Sequence, residues 1–412
     1  MRVYSRDKRL SFLPDRGIGQ RPRRKLARPL RVPLLPAQID ITCPAEARPE
    51  ISAMVKRITI TELARGLGVS VCTVNKALSG KSKVSETTRQ RVIDEARRLG
   101  YRPNRMAQVL ARNPIRLAYL HPAHFESFFA PFEAGVRLAA KRLADHQVSV
   151  SMHKLAPACW DKTLLTTVRS LLRAKLSGVI LAPMAEVDYT PVWDLLAEHR
   201  VPLVQLGLEV PGSPAALTVR QDTLLSGRIA AELLSLFAGP VAVMIGNRHV
   251  VDHDEKVCGF QAEAERRGLN VVAVCEHKDD PKLGYSVTRQ LLREHPELRG
   301  MYVATDNFDG IARALKEQKT AGRIKVVATG VFPEIQAAMD ADLVHFALDQ
   351  RMADQGEMAV QQLHELLSQQ PLPASKILVP PRIAVRENIE LLAASVSPPR
   401  GKRRPSCLPG SG

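Results

Sequence analysis

From Ile115 onward the chain alternates short apolar runs with longer helical stretches, and this alternation limits the fold more than any other feature. Ile115–Leu120, Val148–Met152, Gly178–Ala182 and Val201–Leu206 are the runs of the first half; Val241–Gly246, Val271–Cys275, Gly300–Ala304 and Ile324–Ala328 are those of the second. Between them lie stretches such as Phe132–Ala144 and Lys162–Lys175, with helical periodicity. Runs apolar at nearly every position are buried on both faces, which implies parallel sheets covered by helices. Eight such units predict an α/β fold with two doubly wound halves, in which a ligand sits beyond the carboxyl ends of the strands.

The stretch ahead of this alternation, Lys56 to Ala111, has a different character. Thr59 and Glu62 have capping-box spacing, so a helix is predicted from Ile60, with Leu63 and Leu67 on its inner face. Gly68 breaks it, and Ser70 can N-cap a second helix over Val71–Leu78. Two short helices joined by a tight turn form a helix-turn-helix. After a loop through Gly80, Ser85 caps a third helix with Val92, Ala96 and Leu99 on one face, ended by Gly100. Pro103 and the N-cap Asn104 then introduce Arg105–Ala111, a segment too short to be a stable helix alone.

This stretch resembles the headpiece of the LacI/GalR family of bacterial repressors, through ITITELARGLGVSVCTVNKALSG, VSETTRQRVIDEARRLGYRPN and NRMAQVLA. The resemblance implies that the second helix enters the major groove, with Val71, Cys72 and Lys76 at base-reading places and Ser70 at the helix start. Lys76 stands where the family usually has Arg. A lysine is a point charge without the bidentate fork to guanine, so its readout is less exacting. Val71 and Cys72 suit a thymine methyl, whereas Thr73 and Asn75 suit phosphates. The resemblance also implies a hinge from Asn104 through Ala107 to Leu110, folding when two copies meet in the minor groove, with Leu110 as the wedge that parts a base step.

From about Ile115 to Asn388 the chain resembles, more loosely, the core of the same family, which is related to periplasmic ribose-type sugar-binding proteins. VRQDTLLSGRIAAELL, EKVCGFQAE, ATDNFDGIARAL, FALDQRMADQGEMAV and ILVPPRIAVREN carry it. It implies two lobes, with the chain crossing between them near Val219, Leu348 and Leu378. It also implies an effector cleft: Phe128 and Phe129, ahead of Gly135, match an aromatic pair that stacks on a sugar face. Lys256, four residues before Phe260, falls at an effector-binding Arg. Asp306, Asn307 and Asp309 compete for the family's acidic ligand position. His121 and Asp188 lie just past strands, where a solvent-facing role is the simpler reading. After the run Ile324–Ala328 the sequence reads ATGVF, without the carboxylate often found there.

The expected organisation is a disordered basic extension over residues 1–55, a headpiece over 56–103, a hinge over 104–112, a core over 113–392 and a disordered tail over 393–412. The extension and tail, with RPRRKLARPLRVPLLP and SPPRGKRRPSCLPGSG, are Pro-rich and without periodicity. Met54, directly ahead of the family pattern, is an equally good natural start. The formal net charge of +17 is concentrated in the first 115 residues and the tail and points to nucleic acid. Nothing approaches the roughly eighteen apolar residues of a membrane span, and no apolar core precedes a signal-type cleavage site. The six cysteines show no metal or disulfide spacing and read as free thiols in a reducing cytoplasm.

Other motifs carry little. Gly80-Lys81-Ser82 imitates the end of a phosphate loop, but position 75, where its first glycine belongs, is Asn75. His249 and His253, beside Asp252 and Asp254, read as a loop and not as a zinc site. There is no GxSxG, His364-Glu365 lacks a second histidine, and no constellation selects a catalytic triad. Neither enzyme activity, metal nor cofactor is expected. The sequence thus predicts a homodimeric, cytoplasmic regulator, most simply a repressor, that binds operator DNA under the control of a small molecule such as a sugar. The alternative is a solute-binding protein for sugar transport, which would share the core but have no use for residues 56–111.

Overall fold

The computed structural model describes residues 58–78, 84–99, 101, 114–123, 126–185 and 187–394. The expected extension, hinge (with Asn104, Ala107 and Leu110) and tail beyond 394 lie outside the described residues.

Three helices make up the headpiece: α1 (Ile60–Leu67), α2 (Val71–Leu78) and α3 (Glu86–Arg98). The capping box at α1 is complete, with Thr59 N–H donating to Glu62 Oε2 at 2.8 Å and Glu62 N–H to Thr59 Oγ1 at 3.3 Å. Gly68 ends α1 at φ 66°, a left-handed conformation that glycine adopts without steric cost. Ser70 Oγ accepts from Thr73 N–H at 3.1 Å, and Ser85 Oγ accepts from Thr88 N–H at 3.3 Å. Leu63, Ala64, Val74, Ala77, Val92 and Ala96 close a small core among the three helices.

The core contains two six-stranded sheets. The first is built from β1 (Ile115–Pro122), β2 (Val148–Leu155), β3 (Gly178–Leu181), β4 (Leu203–Leu206), β5 (Leu217–Gln221) and β11 (Lys376–Val379), in the order β2-β1-β3-β4-β5-β11, all parallel. The second is built from β6 (Val241–Ile245), β7 (Val271–Glu276), β8 (Gly300–Val303), β9 (Lys325–Thr329), β10 (Phe346–Asp349) and β12 (Arg382–Ala384), in the order β7-β6-β8-β9-β10-β12. Here only β12 runs antiparallel. Both sheets thus repeat the doubly wound order 2-1-3-4-5. In each, the winding reverses between the first and third strands, where such folds bind ligands.

Eight of these strands coincide with the eight apolar runs, and β5, β10, β11 and β12 are additional. β5 (LTVRQ) and β10 (FALD) end in polar residues at the lobe boundary, so neither reads as a continuous apolar run. β11 and β12 are short and separated by Pro380-Pro381. The chain passes between sheets at residues 221–223, 349–352 and 379–382.

Helices cover both sheets. In the first lobe these are α4 (Glu126–Arg142), α5 (Trp160–Arg173), α6 (Thr190–Glu198) and, returning from the second crossing, α12 (Met352–Leu367). The second lobe has α7 (Thr223–Leu234), α8 (Val251–Arg267), α9 (Pro281–Glu294), α10 (Asp309–Glu317) and α11 (Pro333–Asp340). A last helix, α13 (Ile389–Ala394), ends the described chain. Helix α4 begins six residues before the expected Phe132, because Pro131 is accommodated within the helix where the sequence suggested a start beyond it. Helices α7 and α8 cross so closely that a Cβ at Gly227 would strike the Lys256 carbonyl, and one at Gly259 the Leu224 carbonyl. That contact fixes the start of α8, and with it the polar wall described next. No helix among the described residues is long and apolar enough to cross a membrane.

Candidate functional sites: a headpiece surface and an interlobe cleft

Val74 and Ala77 turn the inner face of α2 into the headpiece core, so Val71, Cys72 and Asn75 are exposed on the outer face and Lys76 is half-buried beside them. Thr73 is also half-buried, and its hydroxyl lies 2.9 Å from that of Ser70. Ser70 and Thr73 therefore brace the start of the helix, while Val71, Cys72, Asn75 and Lys76 form its outer surface. Lys81 and Lys83 lie outside the described residues.

In the core, a cavity of about 160 Å³ opens at the switch points of both sheets. From the first lobe come Phe128, Phe129 and Phe132 on α4, which follows β1, together with Ala182 and Pro183 after β3. From the second come Asp252, His253 and Lys256 at the start of α8, which follows β6, and Asp306 after β8. Gln221 and Gln350 enter from two of the crossings.

The aromatic wall is an edge-to-face cluster. Phe128 and Phe129 have centroids 5.0 Å apart at 88°, and Phe128 lies 5.8 Å from Phe132. Phe129 is buried and tilts over His121 at 5.1 Å, whereas Phe128 is half-buried. The expected pair is therefore split: Phe128 is the ring more open to an occupant, and Phe129 supports it. His121 does not face solvent, as the sequence suggested. β1 extends two residues past the expected Leu120, so His121 is inside the strand, stacked on Tyr119 at 5.0 Å with Nε2 3.1 Å from Glu133 Oε1. Asp188 is exposed, accepting from Thr190 N–H.

The polar wall holds two acids around one lysine. Lys256 is buried and donates from Nζ to Ala304 O at 3.3 Å. Burial pushes the Asp252 carboxyl up to about 6, against the pull of Lys256 and Arg220. Burial likewise raises Asp306 to about 6 against Lys256, with Asp279 and Asp252 adding to the rise. Asp306 accepts a hydrogen bond from the Gln350 amide. Of the three candidates for the acidic ligand position, Asp306 alone lines the cleft. Asn307 turns its amide to the Asp279 carbonyl, and Asp309 is exposed at the start of α10. At the ATGVF turn, Thr329 donates to Val303 O at 2.8 Å and places no charge in the cleft.

Asp252 and His253 are helical and not part of a loop, a correction to the sequence reading. Helix α8 starts after Val250 without a side-chain cap, so the usual start signal is missing. Instead His253 Nδ1 accepts from Asn247 N–H at 3.1 Å, and burial pushes this imidazole down to about 4, leaving it neutral. Sequence reasoning missed Asp252, Gln221 and Gln350. Only Gln221 and Gln350 carried a signal, by lying in stretches expected at lobe crossings.

Comparison with known proteins places both parts. Residues 118–371 match the model of a periplasmic binding protein domain, and residues 59–104 that of the lacI family of bacterial regulatory proteins. The HTH-type transcriptional regulator DegA of Bacillus subtilis is 24% identical over 218 residues, which span 52% of this chain and 63% of the relative. Catabolite control protein A of Priestia megaterium is 22% identical over 356 residues, 80% of this chain and 99% of the relative. The lactose operon repressor of Escherichia coli is 25% identical over 265 residues, 64% and 72%. Among solved structures, the arabinose-binding protein AraP from Geobacillus stearothermophilus superposes with a TM-score of 0.62 at 20% identity, covering 68% of this chain and 99% of that one. A LacI-type regulator from Bacteroides fragilis gives 0.59 at 19%, with 68% and 99% coverage. At such identities these superpositions establish the fold.

Proposed function

Because the chain belongs to the LacI/GalR family of bacterial transcription regulators, we propose that it binds operator DNA in the cytoplasm as a homodimer and represses transcription under the control of a sugar or sugar derivative held between its lobes. The observation that carries this is the pairing of an exposed α2 face with a polar, aromatic-walled cleft in one chain. Residues 56–103 act as the headpiece: Val71, Cys72 and Lys76 meet base edges, and Thr73 and Asn75 meet phosphates. Asn104, Ala107 and Leu110 belong to a hinge that folds on DNA when two copies pair. In the cleft, Phe128 offers an apolar surface to one face of a sugar ring, while Lys256, Asp252 and Asp306 bind its polar rim. A ligand that favours one lobe angle shifts the population of paired hinges, and a coupling of about 1–3 kcal/mol suffices to switch occupancy.

The sugar assignment draws support from fold neighbours described as bound to tagatopyranose, D-arabinose or D-allose. The curated relatives are named as regulators and the fold neighbours as sugar-binding proteins or regulators, and no catalytic step is part of this reading. Selection of bound fragments from genomic DNA, followed by gel shift with and without candidate sugars, tests it. Specific retention lost or gained on adding a sugar is the expected result. Sugar binding without any specific retention of DNA would make the chain a solute-binding protein instead.

A further inference from the structure

The cleft is lined by buried polar atoms that have no hydrogen-bond partner among the described residues. Gln221 is 2% exposed, and neither its amide oxygen nor its amide nitrogen has a hydrogen-bond partner among the described residues. Gln355 spends its amide N–H on Gln350 O at 2.7 Å, which leaves its buried Oε1 without a donor. Asp252 Oδ1 is buried and also lacks a donor among the described residues. Its nearest cation, Arg220, is 3.6 Å away, beyond hydrogen-bond reach. The two terminal nitrogens of Arg220 are committed to Glu255 at 2.7 and 2.8 Å, and its Nε lies 3.4 Å from Glu209. These atoms leave three acceptor oxygens and one amide nitrogen, which carries two N–H groups, without partners, and an occupant must supply both donors and acceptors to avoid the cost of unpaired buried groups. Hydroxyls, which both donate and accept, do so; carboxylates and phosphates, which mainly accept, do not.

Charge points the same way. Lys256 is the one Lys or Arg among the lining residues, and it faces Asp252 and Asp306, with His253 neutral beside them. Asp279 adds a further negative charge behind Asp306. An anionic occupant would bring a third negative charge to a lysine already shared by two carboxylates, in a partly desolvated space where like charges repel strongly.

We propose that this cleft selects an uncharged, hydroxyl-rich ligand and rejects the carboxylate- and phosphate-bearing counterparts of the same sugar, with Asp252 as the residue that sets the preference. The inference rests on the carbohydrate reading above and narrows its chemical class. Asp252 reaches the cleft from the first turn of α8, one helical turn before Lys256, so it screens the lysine that would otherwise attract anions.

The test uses the full chain and matched probes at constant ionic strength: glucose, glucuronate and glucose 6-phosphate; galactose and galacturonate; ribose and ribose 5-phosphate. Melting temperature and titration calorimetry are the readouts. In at least one series the neutral member is expected to raise the melting temperature and to bind at least about tenfold more tightly than its anionic partners. Asp252→Asn is expected to narrow that ratio by about tenfold. Asp306→Asn, which removes the other carboxylate, supplies the same comparison should the first variant fold poorly. An acid or phosphate that binds more tightly than its neutral partner overturns the inference and leaves the carbohydrate reading standing. No response to any member of any series removes both. A folded Asp252→Asn protein with unchanged discrimination removes Asp252 from the role.

Discussion

Arg220, at the end of β5, holds Glu255 of α8 through two parallel hydrogen bonds of 2.7 and 2.8 Å, and so ties the first lobe to the second directly beside a crossing. Thr223, Glu209 and Asp252 also lie beside it, and Lys376 of β11 reaches the same Glu209 at 2.5 Å. The guanidinium is 3% exposed, so Arg220→Met leaves Glu255 facing an apolar neighbour. Breaking a fully buried pair costs about 3–5 kcal/mol, and because Glu255 is a third exposed the expected loss is nearer about 1–2 kcal/mol. Arg220→Met with Glu255→Met should recover part of that loss. Urea denaturation of both single variants and the double variant measures it, and strict additivity would show that the two side chains do not interact.

Asp252 and Asp306 set a pH dependence of stability. Each carboxyl is raised in the folded chain to about 6 from the ordinary 3.8, so the folded state binds more protons than the unfolded one between these values. Their contribution to stability is therefore greatest at low pH and is lost as pH rises through about 6. Replacing Asp306 by Asn removes a group that is costly to keep ionised. The variant should be more stable than the parent at pH 7.5, by about 1–2 kcal/mol, and the difference should shrink as pH falls through about 6 and vanish only toward pH 3.8. Melting curves across that interval are the check; a stability difference independent of pH would mean that Asp306 is not strained by burial.

The headpiece makes a separable claim. Lys76→Ala should reduce preference for the operator over random DNA, whereas loss of a phosphate contact lowers both equally and reduces the slope of log K against log salt by about 0.9. Quantitative gel shifts on both DNAs, at several salt concentrations, distinguish these outcomes. Equal loss on the two would assign Lys76 to the backbone of the duplex.

Much of this architecture was legible in the sequence, and the exceptions share a cause. The headpiece helices α1 and α2 and the caps Thr59, Ser70 and Ser85 could be read because short-range chemistry determines them: a hydroxyl, a helix N-terminus and a glycine with φ 66°. Eight strands could be read because burial on both faces makes them uniformly apolar. The residues that were missed sit where a strand end or helix start reaches the space between the lobes. Gln221 and Gln350 look like ordinary polar residues until the second sheet is placed opposite the first. Asp252 reads as part of a loop because Val250, the N-cap of α8, has no capping side chain to announce the helix. His121 was placed outside a strand that continues past it, since its partner Glu133 lies on a helix whose start the sequence put near Phe132.

Phe128 and Phe129 are adjacent and chemically identical, yet the structure gives them different work, and their replacement should separate folding from ligand binding. Phe129 is 7% exposed and touches both His121 and Phe128, so Phe129→Ala opens a cavity in the first lobe and should cost about 3 kcal/mol of stability. Phe128 meets Phe129 and Phe132 by its edges and is only half-buried at the cleft, so Phe128→Ala should cost about 1 kcal/mol or less. If a sugar ring lies against Phe128, that same change should weaken binding of the neutral probe by about tenfold, while operator affinity without ligand stays intact. Denaturant melts and titrations on the two variants make the comparison. Two variants that lose stability equally, with ligand affinity unchanged in both, would return the pair to the core and move the apolar contact elsewhere in the cleft.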